Sequence, residues 1–349
     1  MQILNLNGRK IGADSPCFII AEAGVNHNGD LGLAKRLVDA ALEAGADAVK
    51  FQTFRAEEVV SVAAPKAEYQ EETTGTTESQ LEMVRKLELS PRATREVAAH
   101  AASCGILFLS TGFDNDSVDL LDEIGVPAFK VGSGDLTNLP LLEHIASKCR
   151  PVILSTGMSF LNEVEEAVTT LTSAGCPSFA LLQCVSSYPA DPEAANLRVL
   201  HTLKEKFDAP VGFSDHSLGH DVAIAAVALG AKIIEKHLTL DANLPGPDHR
   251  VSLTPDAFAA MVKSIRTVEA SLGDGIKRPT PSEQNVRDVA RRSVVTRAAV
   301  PEGTPISREM LSFKRPGTGI PPRDWAKLIG RVTKRDIPAD SILRYEDLA

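Results

Sequence analysis

Between Cys17 and about Thr239 the chain alternates short aliphatic or β-branched runs with longer amphipathic stretches. That alternation predicts repeated strand–helix units and a parallel sheet. Eight runs can be counted: Phe18–Ala21, Ala48–Phe51, Ile106–Leu109, Ala128–Val131, Val152–Ser155, Ala180–Gln183, Val211–Ser214 and Ile233–Lys236. Eight parallel strands in a segment of about 250 residues predict an α/β fold closed as a (β/α)8 TIM barrel rather than an open sheet.

The punctuation between runs agrees with this reading. Ser90 before Pro91 starts a helix that stops near Gly105, and Thr254 before Pro255 starts one running towards Gly273. Both place a capping residue before a proline at the first helical position and a glycine past the end. One unit breaks the rhythm: Arg55 to Leu89 is a long polar excursion after the second strand, with Gly75 among four threonines at its centre. A long βα connection on a barrel belongs to the active-site face.

After Gly273 the prolines Pro279 and Pro281 mark a linker. The predicted organisation is a barrel domain with an N-terminal hairpin over 1–273, a linker over 274–290 and a small β-rich module over 291–349. The module contains a repeat, because Val295-Thr296-Arg297 to Glu309-Met310-Leu311 recurs 37 positions later as Val332-Thr333-Lys334 to Glu346-Asp347-Leu348. Two short β-plus-turn units about a pseudo-twofold would produce it, with the basic loop Lys314–Gly319 between them.

Composition narrows the function. The 349 residues are 43 % hydrophobic, enough to bury a large core and a small one. Cys17, Cys104, Cys149, Cys176 and Cys184 are odd in number and form no C-x-x-C pair, so neither a disulfide framework nor a zinc ribbon is expected, and a reducing cytoplasm is. The N-terminus lacks the basic and apolar regions of a signal peptide, and no run approaches a membrane span. A net charge of −9 argues against a nucleic-acid or membrane partner. An anionic small substrate remains open where a few cations converge.

The strand ends supply that convergence. Residues there face the mouth of a barrel, and structural positions should be apolar. Instead, Glu22 ends the first run, Lys50 and Gln52 the second, Ser110 and Thr111 the third, and Lys130 and Ser133 the fourth. Ser155 and Thr156 follow, then Ser186 and Tyr188, then Ser214, Asp215 and His216, and finally Glu235 and His237. Singly, each reads as an exposed lysine or a helix cap. Together they would be costly as mere core, because buried charges need partners. His216 and His237 lie just past adjacent strands, near enough to share a divalent ion. Lys50 and Lys130 with nearby hydroxyls suit phosphate and carboxylate, and no phosphate-binding glycine loop competes.

At these residues the sequence resembles the sialic acid synthase family. The resemblance is carried by Ala21–Gly29, Val49–Gln52, Lys130–Asp135, Phe213–His216, Glu235–His237 and Gly246–His249, and by Lys314–Gly317 in a C-terminal module similar to that family's antifreeze-like domain. The resemblance implies condensation of phosphoenolpyruvate with an N-acyl amino sugar to a nine-carbon 2-keto acid. It implies a divalent cation on His216 and His237, typically Mn²⁺, with Mg²⁺ or Co²⁺ as alternatives. Lys50, Thr111, Lys130, Ser133, Ser155, Ser186 and Ser214 would hold phosphoenolpyruvate, and Glu22 would assist proton transfer. Gln52, Tyr188, Asp248 and Arg315 would address the sugar, Arg315 reaching the other subunit of a domain-swapped homodimer. The segment Asp248–Leu253 looks more like neuraminate or legionaminate synthases than pseudaminate synthases.

Two other classes compete. A Schiff-base aldolase would use Lys130 as an amine nucleophile and would have no need of the histidine pair. An ice-binding or carbohydrate-binding protein would have no use for strand-end lysines in a barrel.

Overall fold

The computed structural model describes residues 3–12 and 14–349. It divides into two compact units, Met1–Gly273 and Asp274–Ala349. The first opens with an antiparallel hairpin, β1 (Leu4–Leu6) and β2 (Arg9–Ile11). Eight parallel strands follow: β3 (Phe18–Gly24), β4 (Ala48–Thr53), β5 (Leu107–Gly112), β6 (Phe129–Val131), β7 (Val152–Ser155), β8 (Phe179–Cys184), β9 (Val211–Asp215) and β10 (Ile233–His237). They close in chain order, with β10 pairing β3. Each of the eight aliphatic runs in the sequence forms one barrel strand.

Helices α1 (Leu31–Glu43), α5 (Pro91–Cys104), α6 (Asn115–Ile124), α7 (Leu139–Ser147), α8 (Leu161–Ser173), α9 (Val199–Lys206) and α10 (Asp221–Ala228) connect successive strands, and α11 (Pro255–Leu272) follows β10. Three shorter helices, α2 (Ala56–Val59), α3 (Glu68–Thr74) and α4 (Gln80–Lys86), organise the excursion between β4 and α5. The Ser90 hydroxyl accepts from the Ala93 N–H, and Gly105 ends α5 at φ 82°, so that helix begins and stops as its sequence predicts. Thr254 stands at the start of α11, but its side chain makes no capping hydrogen bond.

The core has two layers, as strand alternation requires. Outward residues such as Ile19, Val49, Leu154 and Leu181 pack under the helices. Inward residues Phe18, Ile20, Ala48, Leu109, Ile153 and Ile233 fill the barrel floor, and Leu4, Leu6 and Ile11 of the hairpin join that cluster. The apolar floor leaves the opposite end of the barrel to polar side chains. Among the described residues no helix is long and apolar enough to cross a membrane.

In the second unit, the stretch expected as a linker carries helix α12 (Gln284–Ala290). Strands β11 (Ser293–Thr296) and β12 (Leu311–Lys314) pair antiparallel. The 37-residue repeat is visible in the hydrogen bonding. Val300 and Ile337 exchange both backbone bonds at 2.8 and 2.9 Å. The Thr296 hydroxyl donates to Pro338 O and the Thr333 hydroxyl to Pro301 O, each at 2.7 Å. Those partners are related by the repeat, so a local twofold runs through the unit.

Candidate active site

Strand register assembles the mouth of the barrel. Glu22 pairs with Lys50, Gln52 with Thr111, Thr111 with Lys130, Cys184 with Ser214, Ser214 with Glu235, and His237 with Glu22. Period-two alternation decides which residue of each strand end enters. Ser155, Thr111 and Glu235 face the cavity, whereas Ser110 bonds Thr53 at 2.8 Å and Thr156 bonds Leu182 O at 3.0 Å.

At the base lie two lysines and two carboxylates, all nearly fully buried. Lys50 Nζ is 3.0 Å from Glu22 Oε1 and 3.7 Å from Glu235 Oε2, and it donates to Thr111 Oγ1 at 3.3 Å. Lys130 donates to Ser155 Oγ at 2.8 Å and lies 3.6 Å from Glu235 Oε1. The Ser214 hydroxyl donates to Glu235 Oε1 at 3.0 Å. Burial pushes Glu22 up to about 7, despite the opposing pull of Lys50. Burial also depresses the Lys130 ammonium; for Lys50 the two carboxylates outweigh burial and raise its pKa.

A cavity of about 280 Å³ opens above this cluster. It is lined by all seven residues expected to hold phosphoenolpyruvate, together with Glu22, Gln52, Tyr188, His216 and His237. Gly157 lets two hydroxyls meet there: a Cβ on it would stand 2.5 Å from Ser186 Oγ and 2.8 Å from Ser133 Oγ, and its N–H donates to Ser133. The His216 and His237 rings are 5.4 Å apart, and the Tyr188 ring lies tilted at 35° to that of His216, 4.2 Å away. His216 donates through Nδ1 to Val185 O at 2.7 Å, which leaves Nε2 free. Burial and the neighbouring cations hold His237 well below its ordinary pKa, and its Nδ1 is a buried atom without a hydrogen-bond partner, as is Glu22 Oε2.

A second cavity, of about 210 Å³, adjoins the first and shares Gln52, Phe113, Tyr188 and His237 with it. Asp248 belongs here, with Oδ2 4.0 Å from His237 Nδ1, and burial lifts its carboxyl to about 6. Three of the four expected sugar residues, Gln52, Tyr188 and Asp248, thus line this cavity. The fourth, Arg315, is exposed in the second unit just beyond β12.

Sequence reasoning left Glu235 without a role, although its spacing two residues before His237 puts both on one face. It also missed Tyr69, from the excursion, which stacks 5.0 Å from Tyr188. Cys184, to which the sequence assigns no role, lies 3.8 Å from His216 Nδ1; that contact depresses the thiol pKa and raises the imidazole pKa against the effect of burial. Asp39, His100 and Cys104 form another cluster of metal-ligating types, on the outer helices α1 and α5. There His100 bonds Asp39 at 2.7 Å, as His144 bonds Asp119 at 2.8 Å between α6 and α7, so the pairing also serves helix packing.

A closed parallel barrel with buried lysines, hydroxyls and paired imidazoles at its strand ends defines an enzyme of the TIM-barrel class whose mouth has the chemistry to suit an anionic small molecule. The comparison with known proteins makes this specific. The chain belongs to the NeuB family, whose model matches residues 37–277, and a SAF domain model matches residues 291–349. It is 46 % identical over 329 residues to N,N'-diacetyllegionaminic acid synthase of Campylobacter jejuni, covering 94 % of this chain and 98 % of that one. It is 40 % identical to human N-acetylneuraminate-9-phosphate synthase, over 97 % of this chain and 94 % of that one. The solved N-acetylneuraminic acid synthetase of Leptospira borgpetersenii superposes with a TM-score of 0.72 at 39 % identity, covering 82 % of this chain and 95 % of that chain. The resemblance read from the sequence motifs holds.

Proposed function

We propose that this protein is a nonulosonic acid synthase that condenses phosphoenolpyruvate with an N-acyl amino sugar and water, releasing phosphate. The observation that carries the reading is the division of the mouth into two adjoining cavities. One is built on Lys50 and Lys130 for a trianionic substrate; the other holds Gln52, Tyr188 and Asp248 for a polyhydroxylated one.

Lys50 and Lys130 compensate the carboxylate and phosphate charges, and Thr111, Ser133, Ser155, Ser186 and Ser214 donate hydrogen bonds to their oxygens. Glu22 and Glu235 keep the lysines pointed inward before substrate arrives. His216 and His237 fit a divalent cation, because one presents a free Nε2 and the other a buried, neutral imidazole with an unpartnered nitrogen. Bound there, Mn²⁺ supplies a Lewis acid for the sugar aldehyde. The enol carbon of phosphoenolpyruvate attacks that aldehyde and positive charge develops at C2, which the buried carboxylates stabilise. Water adds at C2 and gives one proton, by way of Glu22, to the alkoxide left on the former aldehyde oxygen, an exchange that a pKa near 7 suits; its second proton leaves with phosphate. The adduct then expels phosphate by breaking the C–O bond.

The same reading makes the working enzyme a homodimer in which Arg315 serves the partner's sugar cavity. All five cysteines are free thiols, which suits the cytoplasm. The test is phosphate release from phosphoenolpyruvate with and without acylamino sugars. Sugar-dependent release with formation of a nine-carbon keto acid supports the proposal. Schiff-base trapping of substrate on Lys130 by borohydride would replace it with the aldolase reading.

A further inference from the structure

Outside the barrel, α1 and α5 pack side by side, with residues 61 positions apart in the chain facing each other. Lys35 meets Glu96 at 3.3 Å, and four residues further along each helix Asp39 Oδ1 meets His100 Nε2 at 2.7 Å. Helix periodicity puts Cys104 on the same face of α5 as His100. Its Sγ lies 3.7 Å from His100 Nε2 and 3.8 Å from Asp39 Oδ1. A carboxylate, an imidazole and a thiol from two helices thus converge. Neither helix carries a basic residue in its last turn, so the negative ends of both helix dipoles lack a cation of their own there.

The same clasp occurs between α6 and α7, where it is complete. His144 Nε2 lies 2.8 Å from Asp119 Oδ1, and Lys148 Nζ reaches the same oxygen at 2.5 Å. Lys148 follows His144 by four residues, as Cys104 follows His100. It supplies an ammonium at the C-terminal end of α7, where the helix dipole favours a cation. An aspartate–histidine pair accounts for helix packing in both clasps. It does not account for a sulfur in the position where the other clasp holds a positive charge.

For a tetrahedral zinc ion, bond lengths of about 2.0–2.1 Å to nitrogen or oxygen and about 2.3 Å to sulfur set the ligand atoms about 3.4 Å apart for the N–O edge and about 3.6 Å apart for the edges to sulfur. Both sulfur edges, at 3.7 and 3.8 Å, already match. Only the Asp39–His100 separation of 2.7 Å has to widen, and Asp39 is exposed and free to move outward. We infer that Asp39, His100 and Cys104 form a binding site for one Zn²⁺ ion, with water in the fourth position. Coordination expels the thiol proton to solvent, and thiolate and carboxylate together balance the charge of the ion. The sulfur selects zinc over Mn²⁺ or Mg²⁺, which favour oxygen ligands. The ion staples α1 to α5 across the intervening β4 and the excursion, a long loop whose closure restricts the unfolded chain. None of the three residues lines either cavity of the mouth, so this site stands apart from the synthase reading.

The test uses the full-length protein, stripped of metal and dialysed against Zn²⁺, with bound zinc counted in the parent, Cys104→Ser and Asp39→Asn. The serine is close to the thiol in shape and the asparagine keeps an acceptor for His100, so circular dichroism should be unchanged while each variant holds one equivalent fewer. Cys104→Lys, which copies the α6–α7 clasp, should fold as well and also hold one fewer. Alkylation followed by peptide mass mapping reads the thiol itself. Zn²⁺ at about ten times its dissociation constant should slow modification of Cys104 about 10-fold, because only the metal-free thiol reacts. The exposed Cys149 serves as the unprotected control. Equal zinc counts in the parent, Cys104→Ser and Cys104→Lys, or alkylation of Cys104 at one rate with and without zinc, overturns the inference and leaves the synthase activity in place.

Discussion

Behind the two candidate metal ligands lies a buried ion pair whose removal should be felt in both stability and catalysis. Lys236 Nζ is 2.9 Å from Asp215 Oδ2, with both side chains 0 % exposed. Asp215 Oδ1 accepts from the N–H and hydroxyl of Ser217 at 2.9 and 2.7 Å, and Lys236 also donates to Ser217 O. These bonds join β10 to the end of β9 on either side of His216 and just before His237. Burial depresses the Lys236 pKa, so the charges are held against a desolvation cost and contribute position more than stability. Lys236→Met leaves the Asp215 carboxylate buried with the Ser217 donors alone, and should cost about 3–5 kcal/mol. That is a large share of the roughly 5–15 kcal/mol that folds a domain. The double variant Lys236→Met/Asp215→Asn removes both charges and retains an acceptor for Ser217, so it should return to within about 1 kcal/mol of the parent or exceed it. Its strand ends are less firmly fixed, and kcat/KM should fall by about 10- to 100-fold even though the fold is intact. Urea unfolding followed by far-ultraviolet circular dichroism, beside steady-state kinetics, reads both effects. A loss below about 1 kcal/mol in Lys236→Met, or a double variant as unstable as the single one, would refute the reasoning.

Further consequences follow from the same geometry. With Glu22 in its proposed role as base, and its pKa near 7, kcat/KM should rise with pH through that region, and Glu22→Gln should abolish the limb along with most activity. Its folded pKa lies above its ordinary 4.5, so the folded state binds the extra proton and stability should decline as pH rises from about 4.5 to about 7; that decline should flatten in Glu22→Gln denaturation curves. His216→Ala and His237→Ala should each lose turnover by at least about 10³-fold with unchanged circular dichroism, and chelation should do the same reversibly; full activity in chelator contradicts the role given to the pair. Mixing inactive Arg315→Ala and His216→Ala subunits should restore activity if Arg315 serves the partner's barrel, whereas proven subunit exchange without recovery assigns it to its own.

The barrel was legible because its strands are buried on both faces and therefore stand as unbroken aliphatic runs, such as Val152–Ser155, between amphipathic helices. The candidate site was legible for the converse reason. Lys50, Lys130, Glu235 and His237 interrupt those runs where a purely structural strand would stay apolar. What the sequence hid is set by closure and by short elements. Only the pairing of β10 with β3 puts His237 opposite Glu22, and no spacing along the chain reports it. Helices of four to seven residues, such as α2, α3 and α4, are too short to show a periodicity, so the excursion reads as polar loop although Met83 and Leu87 are buried. The segment before β11 is of the same kind: its prolines suggest a linker, and the short helix α12 becomes visible only in the structure.

The most direct test of the central claim uses phosphoenolpyruvate carrying ¹⁸O in the bridge between C2 and phosphorus, with an acylamino sugar that supports turnover. Addition of water at C2 followed by C–O cleavage predicts that the label leaves entirely with inorganic phosphate and that the keto acid takes its new oxygen from solvent. Mass spectrometry of both products gives the answer. Label retained in the keto acid would mean that the P–O bond breaks, and would contradict the mechanism built on Glu22, Lys50 and Lys130.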